Sequence, residues 1–283
     1  MSLPIPDCES CGSPLRQTKD WLFRCRKCGF WQSTLQPGAG TGIGGLEDLR
    51  RMNNEIILDC VEKQGTLSGK RILEVGSAWG WFLDAAAKRG GLAHAIEPED
   101  ANVELSRKRL ADLYPDIVIE HGFFPGDLED RGPYDIIVFN DVFEHIPMPS
   151  KVIGSVAQLL APNGLVVINI PSSSGVFFQL ASLLDLFGIA SPLERLWLRG
   201  FSSPHISFFN KANLTRCVQD NSSLRIADWV PLVPISRDGL RQRVAATHGG
   251  ALGAGIFAAI WLMSFVLPWL PADNQVAIFK APS

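Results

Sequence analysis

From Lys70 onward, short apolar runs alternate with stretches in which apolar positions recur every three or four residues. Arg71–Val75, Leu92–Ile96, Ile117–Glu120, Asp135–Phe139 and Leu165–Ile170 are dominated by Ile, Val, Leu and Ala, the pattern of strands covered on both faces. Between them, Trp81–Arg89, Ala101–Leu113 and Lys151–Leu160 carry helical spacing. This alternation predicts βαβ units and an α/β fold with a mostly parallel, doubly wound sheet. Leu224–Val230 and Gln275–Lys280 are two further predicted strands, and Val176–Phe187 carries a wide apolar helical stripe.

The two ends of the chain depart from this rhythm. Residues 1–36 are short, cysteine-punctuated and separate from the α/β pattern. Pro37 to Gly45 is too glycine-rich to pack and reads as a linker. A polar helix follows from about Leu46 to Lys63, with Leu49, Met52, Ile56 and Cys60 on one face. The expected organisation is a small module over 1–36, a linker and helix over 37–69, and a main domain over 70–283. The linker leaves the orientation of the small module open.

Composition narrows the function classes. Of 283 residues, 46% are hydrophobic and 19% charged, enough apolar content for a large core. Lys and Arg total 26 against 29 Asp and Glu, a formal charge of −3 that disfavours a broadly basic nucleic-acid binder. The N-terminal MSLPIPDCES has neither a basic region nor an apolar run, so an intracellular, cytoplasmic protein is expected.

Six cysteines are too few for a disulfide scaffold, and four fall in two CxxC knuckles, Cys8–Cys11 and Cys25–Cys28, with thirteen residues between them. Each knuckle presents two thiolates on one side of a tight turn, and a glycine follows each second cysteine. Two knuckles supply a closed tetrahedral set of four sulfurs, which predicts structural zinc in a zinc-ribbon-like module rather than an open catalytic site. Arg16, Lys19, Arg24, Arg26 and Lys27 lie beside Trp21, Phe23, Phe30 and Trp31, read as a solvated face around a miniature core.

The strand at Arg71–Val75 runs into Gly76-Ser77-Ala78-Trp79-Gly80 and then a helix, and the next strand ends at Glu97. A ligand in such a crevice sits beyond the strand's carboxyl end, and the second acid suits ribose hydroxyls. The alternate spacing of Gly76, Ala78 and Gly80 departs from GxGxxG, which disfavours a hydride-transferring dehydrogenase.

These residues resemble the class I S-adenosylmethionine-dependent methyltransferases. Glu74, Gly76 and Gly80 match the first motif with Ala78 in place of its middle glycine. Glu97 matches the acid after the second strand, and Asp135 through Glu144-His145 matches the fourth-strand motif. Leu160–Leu165 matches the turn before the fifth strand, so the resemblance spans about residues 70–171. It implies a Rossmann-like, seven-stranded, mostly parallel sheet and a cofactor held by Glu74, Gly76, Ala78, Gly80, Glu97, Asn140 and Asp141. Family members often carry an aspartate after the third strand. Here the chain reads Glu120-His121-Gly122-Phe123-Phe124, so backbone groups and the ring at Phe123 are expected to meet the adenine.

His145 and His205 are the candidate bases for methyl transfer, each with the alternative of a structural role; transfer by positioning alone is the third option. The resemblance to saccharide-modifying members suggests a saccharide, a lipid-linked saccharide or another small acceptor, with a quinone as second choice. Two other readings stand beside it: a non-catalytic cofactor-binding or scaffold protein of the same fold, and an RNA methyltransferase guided by the ribbon.

Val244–Ala272 contains no Asp, Glu, Lys or Arg, and Arg237, Arg241 and Arg243 precede it. A spanning helix would place the last strand across a bilayer from its sheet. The segment at about 249–271 is therefore expected to be a hydrophobic insertion, broken near Pro268, which dips into the cytoplasmic membrane face or packs internally or in a homodimer seam.

Overall fold

The computed structural model describes residues 7–36, 38, 47–232, 240–247 and 249–283. Apart from Gly38, the predicted linker over 37–45 lies outside the described residues, as does Arg237. The N-terminal module contains β1 (Arg16–Lys19), β2 (Leu22–Arg24) and β3 (Trp31–Ser33), followed by α1 (Glu47–Glu62). The alternating region forms β4 (Arg71–Val75), α2 (Trp81–Lys88), β5 (Leu92–Glu97), α3 (Asp100–Leu110), β6 (Val118–His121), β7 (Tyr134–Asn140), α4 (Pro149–Leu159) and β8 (Leu160–Pro171). Next come α5 (Val176–Leu186), α6 (Ser191–Leu196), β9 (Ser207–Phe208), α7 (Lys211–Asp220) and β10 (Arg225–Pro231). The chain closes with α8 (Leu240–Thr247), α9 (Gly250–Val266) and β11 (Asn274–Lys280).

The main sheet has seven strands in the order β10-β11-β8-β7-β4-β5-β6. Its strands are parallel except β11, which runs antiparallel to both neighbours. From β4 the chain steps outward through β5 and β6, then returns to place β7 on the other side of β4. That reversal opens a crevice at the carboxyl ends of β4 and β7. Asp135 clamps the opposite ends of the two strands, accepting from Lys70 Nζ at 2.8 Å and from the Arg71 N–H at 2.9 Å.

Two local departures from the sequence pattern have physical causes. The inner face of α1 is Asn54, Ile57, Leu58, Cys60 and Val61, whereas Leu49, Met52 and Ile56 are only half-buried. Ile57, Leu58 and Val61 pack with Phe82 and Ala86 of α2, and this rotates Asn54 inward. In β8, pairing with β7 jumps from Tyr134–Leu160 to Ile136–Leu165, so residues 161–164 bulge out, with Asn163 in the left-handed region.

The structure also settles the orientation that the linker left open. β3 pairs antiparallel with β9, so the module and the main domain share a four-stranded sheet, β1-β2-β3-β9. Leu15, Phe23, Cys25 and Phe30 belong to the same buried cluster as Leu73, Phe139, Phe143 and Phe209, with the Phe30 and Phe209 rings 4.8 Å apart.

The uncharged segment forms α9, packed on α8, then a short 3-10 turn at Leu267–Trp269, before β11 re-enters the sheet between β8 and β10. Trp261, Leu262, Phe265 and Val266 are exposed, and Trp269 is 87% exposed. Among the described residues, no helix is long and apolar enough to cross a membrane.

Because Phe30 is fully buried in the shared core, Phe30→Ala is expected to cost ~3–5 kcal/mol. Chemical denaturation followed at the main-domain tryptophans should register that loss in one transition. A module melting separately, with the main transition unmoved, would contradict the shared core.

Candidate active site

A cavity of about 710 Å³ opens at the carboxyl ends of β4, β5 and β7. Gly76 follows β4 with φ +72°, and its N–H donates to the Ile96 carbonyl at 2.8 Å. A Cβ there would lie 2.6 Å from Val142 Cγ2, so the turn closes only around a bare Cα. Ala78 follows at φ +45° and donates its N–H to Glu97 Oε2 at 2.8 Å. The other oxygen of Glu97 accepts from the Glu99 N–H at 3.0 Å and from Asn102 Nδ2 at 3.1 Å. One buried carboxylate thus ties the glycine loop to the start of α3. Glu74, at the end of β4, is buried with one carboxyl oxygen lacking a hydrogen-bond partner among the described residues. Burial and then the charge of Glu97 raise its pKa well above the usual carboxylate range.

The floor of the cavity is an amide chain. Asn169 Nδ2 donates to Asn140 Oδ1 at 2.8 Å and to Asp141 Oδ1 at 2.9 Å, and Asn140 Nδ2 donates to Asn54 Oδ1 at 2.9 Å. Asp141 sits at φ +56°, a backbone strain held by this network. Shielding from water raises its pKa, while the Arg50 charge and the Asn169 hydrogen bond pull it back.

At the far end, the 3-10 turn Phe143–His145 carries two ionisable side chains. Glu144 is 2% exposed, one of its oxygens has no partner among the described residues, and burial followed by the Asp141 charge raises its pKa well above the usual range. His145 Nδ1 lies 2.8 Å from the Pro204 carbonyl, which assigns the proton to Nδ1 and leaves the lone pair on Nε2. The His205 ring stands edge-on to it at 4.9 Å, with Nε2 4.0 Å from Glu144 Oε1. Burial lowers the pKa of both imidazoles, and the charge of His145 helps bring His205 down to about 3. Both rings are therefore neutral at pH 7.

Glu74, Gly76, Ala78, Glu97, Phe123, Asn140, Asp141, His145 and His205 all line this cavity. Gly80 does not; its bare Cα, at φ +73°, faces Leu110 Cδ1 and Ser106 Cβ, where a Cβ would stand 3.0 and 3.1 Å away, so it serves the packing of α3. The Phe123 ring is 62% exposed at the cavity wall, but its N–H already donates to Asp127 Oδ2 at 2.8 Å. The expected backbone contact at Phe123 is thus occupied, and the ring face remains. Sequence reading missed the wall built by Arg50, Asn53 and Asn54 of α1, and the Trp79 and Trp81 pair beside the glycine loop. Adjacent asparagines on an otherwise apolar helix face were the available signal.

The four knuckle cysteines also converge. Cys8 and Cys28 Sγ are 3.5 Å apart, as are Cys11 and Cys25 Sγ, and all four sulfurs lie within 4.8 Å of one another without a disulfide. Gly12 and Gly29 adopt φ +65° and +75°, folding the backbone back at each knuckle.

Residues 46–221 match the family of methyltransferase domains. The chain belongs to that family. Its fold is that of the S-adenosylmethionine-dependent methyltransferases. The chain is 28% identical to the ubiquinone biosynthesis O-methyltransferase of Pasteurella multocida over 134 residues, 44% of this chain and 55% of that one. It is 30% identical to the enzyme of the same name from Xylella fastidiosa over 131 residues, 45% and 52% of the two chains. The chain thus spans about half the length of the curated relatives it matches. Among solved structures, the N-methyltransferase NodS of Bradyrhizobium japonicum with S-adenosylhomocysteine aligns with a TM-score of 0.52 at 14% identity, covering 84% of this chain and 91% of the other. Geranyl diphosphate methyltransferase in complex with SAM aligns at 0.56 and 13% identity, covering 86% and 97%. At these identities the likeness concerns the fold.

Gly76→Ala adds both a left-handed penalty and a clash with Val142, so the protein should lose about 2 kcal/mol of stability. The Gly76→Ala, Val142→Ala pair should recover the clash but not the backbone penalty beyond what Val142→Ala alone costs, read as a coupling in a denaturation double-mutant cycle. Simple additivity would show that the contact is not the constraint.

Proposed function

We propose that this protein moves the methyl group of S-adenosylmethionine to a hydroxyl of a small acceptor. The observation that carries the reading is the convergence of Glu144, His145 and His205 at one end of the cavity whose other end bears Glu97 and the glycine loop. Glu97 is suited to the ribose hydroxyls, the loop at Gly76–Ala78 to close backbone approach, the Phe123 ring to the adenine, and Asn140 with Asp141 to the methionine end. Three water-shielded carboxyls, Glu74, Asp141 and Glu144, favour a cationic ligand, because a positive charge lowers the cost of ionising them.

S-adenosylmethionine supplies an activated methyl whose carbon–sulfur bond breaks as the acceptor's carbon–oxygen bond forms. The acceptor proton passes to His145 Nε2, the nitrogen left free by the Pro204 hydrogen bond. His205 and Glu144 line the same end and orient the hydroxyl.

The O-methyltransferase relatives favour a hydroxylated ring as acceptor, and Ile146, Leu198 and Phe201 give this end of the cavity an apolar wall for its carbon body. The exposed apolar side of α9 supports peripheral contact with a membrane surface, and with it a quinol or saccharide hydroxyl on a lipid carrier. In the knuckles, four sulfurs around a zinc with bonds of about 2.3 Å stand roughly 3.8 Å apart, close to the spacing found, so the four-cysteine set fits a closed, structural zinc. Trp21, Phe23 and Phe30 are buried in the core, which removes them from base stacking and disfavours the RNA reading.

Calorimetric titration with S-adenosylmethionine tests the cofactor half. Wild type should bind in the micromolar range, and Glu97→Ala should weaken binding ~10–100-fold, as expected for loss of charged hydrogen bonds. Absence of binding by folded, zinc-loaded protein would contradict the reading.

The pH profile tests the base. Protonation removes the lone pair, and burial depresses the imidazole pKa values, so the active form persists below the usual histidine range. Turnover should hold as pH falls through the ordinary histidine value of about 6.5. An acidic limb at about 6.5 or above would exclude these rings as the base.

A further inference from the structure

We propose that the four-cysteine module is the positioning element of the acceptor end: by holding residues 203–208 it sets His205 and Glu144 in register, so that metal loading governs turnover but not cofactor binding. This inference rests on the methyl-transfer reading above.

A chain of hydrogen bonds links the module to the site. β3 pairs with β9 through Trp31–Phe208 and Gln32–Ser207. Beyond the last pair, the Ser33 N–H donates to the Ile206 carbonyl at 2.8 Å, and Ser33 Oγ donates to the His205 carbonyl at 2.9 Å. On its other edge, the same segment bonds to the turn after β7. The Ile206 N–H donates to the Glu144 carbonyl at 2.8 Å, and the Pro204 carbonyl accepts from His145 Nδ1. Residues 203–208 are therefore stitched between the module on one side and two cavity-lining residues on the other, through the Glu144 main chain and the His145 ring.

Packing reinforces the stitch. The His205 N–H donates to the Trp197 carbonyl, and the Trp197 ring meets Trp21 of the module at 5.8 Å and Phe208 at 4.8 Å. The knuckles grip the next helix as well, where Ser10 Oγ donates to the Asn213 carbonyl at 2.8 Å and Asn213 Nδ2 to the Cys28 carbonyl at 3.3 Å. Among the described residues, no hydrogen bond joins residues 7–36 to residues 74–102, which carry the glycine loop and Glu97. By hydrogen bonds, the module is thus tied to one end of the cavity and not to the other. β9 has only two residues and sits at the sheet edge with β3 as its strand partner, so without β3 its extended conformation loses that ladder.

Ser33 is the residue that isolates this role, because it is buried, lies outside the cavity and bonds to main chain only. Ser33→Ala keeps β3 but releases the His205 carbonyl. With catechol as probe acceptor, kcat should fall ~5–20-fold, the size of one buried hydrogen bond, while the Kd for S-adenosylmethionine stays within about twofold. Ser33→Thr, which keeps the hydroxyl, should restore most of kcat. Protein stripped by a chelator should lose turnover more deeply, keep cofactor affinity, and recover on adding zinc. The histidine ring resonances of ¹³C-labelled protein give a readout independent of activity: those of His145 and His205 should shift in Ser33→Ala, and those of His94 should not.

Unchanged kcat and unchanged histidine resonances in Ser33→Ala would overturn the inference, as would a loss of cofactor affinity in parallel with turnover. Should wild type turn over no acceptor, the functional reading fails. The ring resonances still decide whether the module positions His205, even if chelation unfolds the protein.

Discussion

The reversal of strand order at β4 is the constraint on which the rest of the molecule depends. With β5 on one side and β7 on the other, connections leave the two edges of β4 in opposite directions and cannot cover its carboxyl end. The crevice that results collects Gly76, Glu97 and Asp141 from three different strands. It is kept open at its mouth by the bare Cα of Gly76 against Val142, and held in shape by the three donors that converge on Glu97. Asp135 fixes the opposite ends of β4 and β7, so the two sides of the crevice cannot slide past one another.

Desolvation gives that crevice its chemistry. The carboxyls of Glu74 and Glu144 are buried and both imidazoles are largely shielded from water, and each group responds by favouring its neutral form. For the histidines this keeps a lone pair available at neutral pH. For the acids it creates a demand for positive charge of the kind a sulfonium ligand carries. The same burial that costs stability at these positions therefore produces a site receptive to a cation and equipped to take a proton.

The strands of the main sheet were legible in the sequence because a parallel sheet covered on both faces writes itself as uninterrupted apolar runs. The glycine loop, Glu97 and the Glu144–His145 pair were legible because backbone turns and strand ends fix them locally. Other parts depended on packing across long separations. Asn54 faces the cavity because Ile57, Leu58 and Val61 select the helix rotation, whereas the sequence pattern marked the face of Leu49, Met52 and Ile56. Gly80 looked like a second point of cofactor approach, but its Cα faces α3, an element that joins it only in the fold. The seating of the module rests on a two-residue strand, β9, far along the chain from β3. No local pattern announces such a pairing, since Ser207 and Phe208 read as an ordinary approach to a helix.

The central claim is that one cavity binds a methyl donor at one end and activates a hydroxyl at the other. The most direct measurement is mass spectrometry after incubating zinc-loaded protein with S-adenosylmethionine bearing a trideuterated methyl group and a panel of phenolic, quinol and lipid-linked saccharide acceptors. The account predicts that one acceptor class gains the labelled methyl on oxygen, matched mole for mole by S-adenosylhomocysteine. Tight cofactor binding with no labelled acceptor and no S-adenosylhomocysteine above the protein-free rate would contradict it, and would make the fold a binding scaffold.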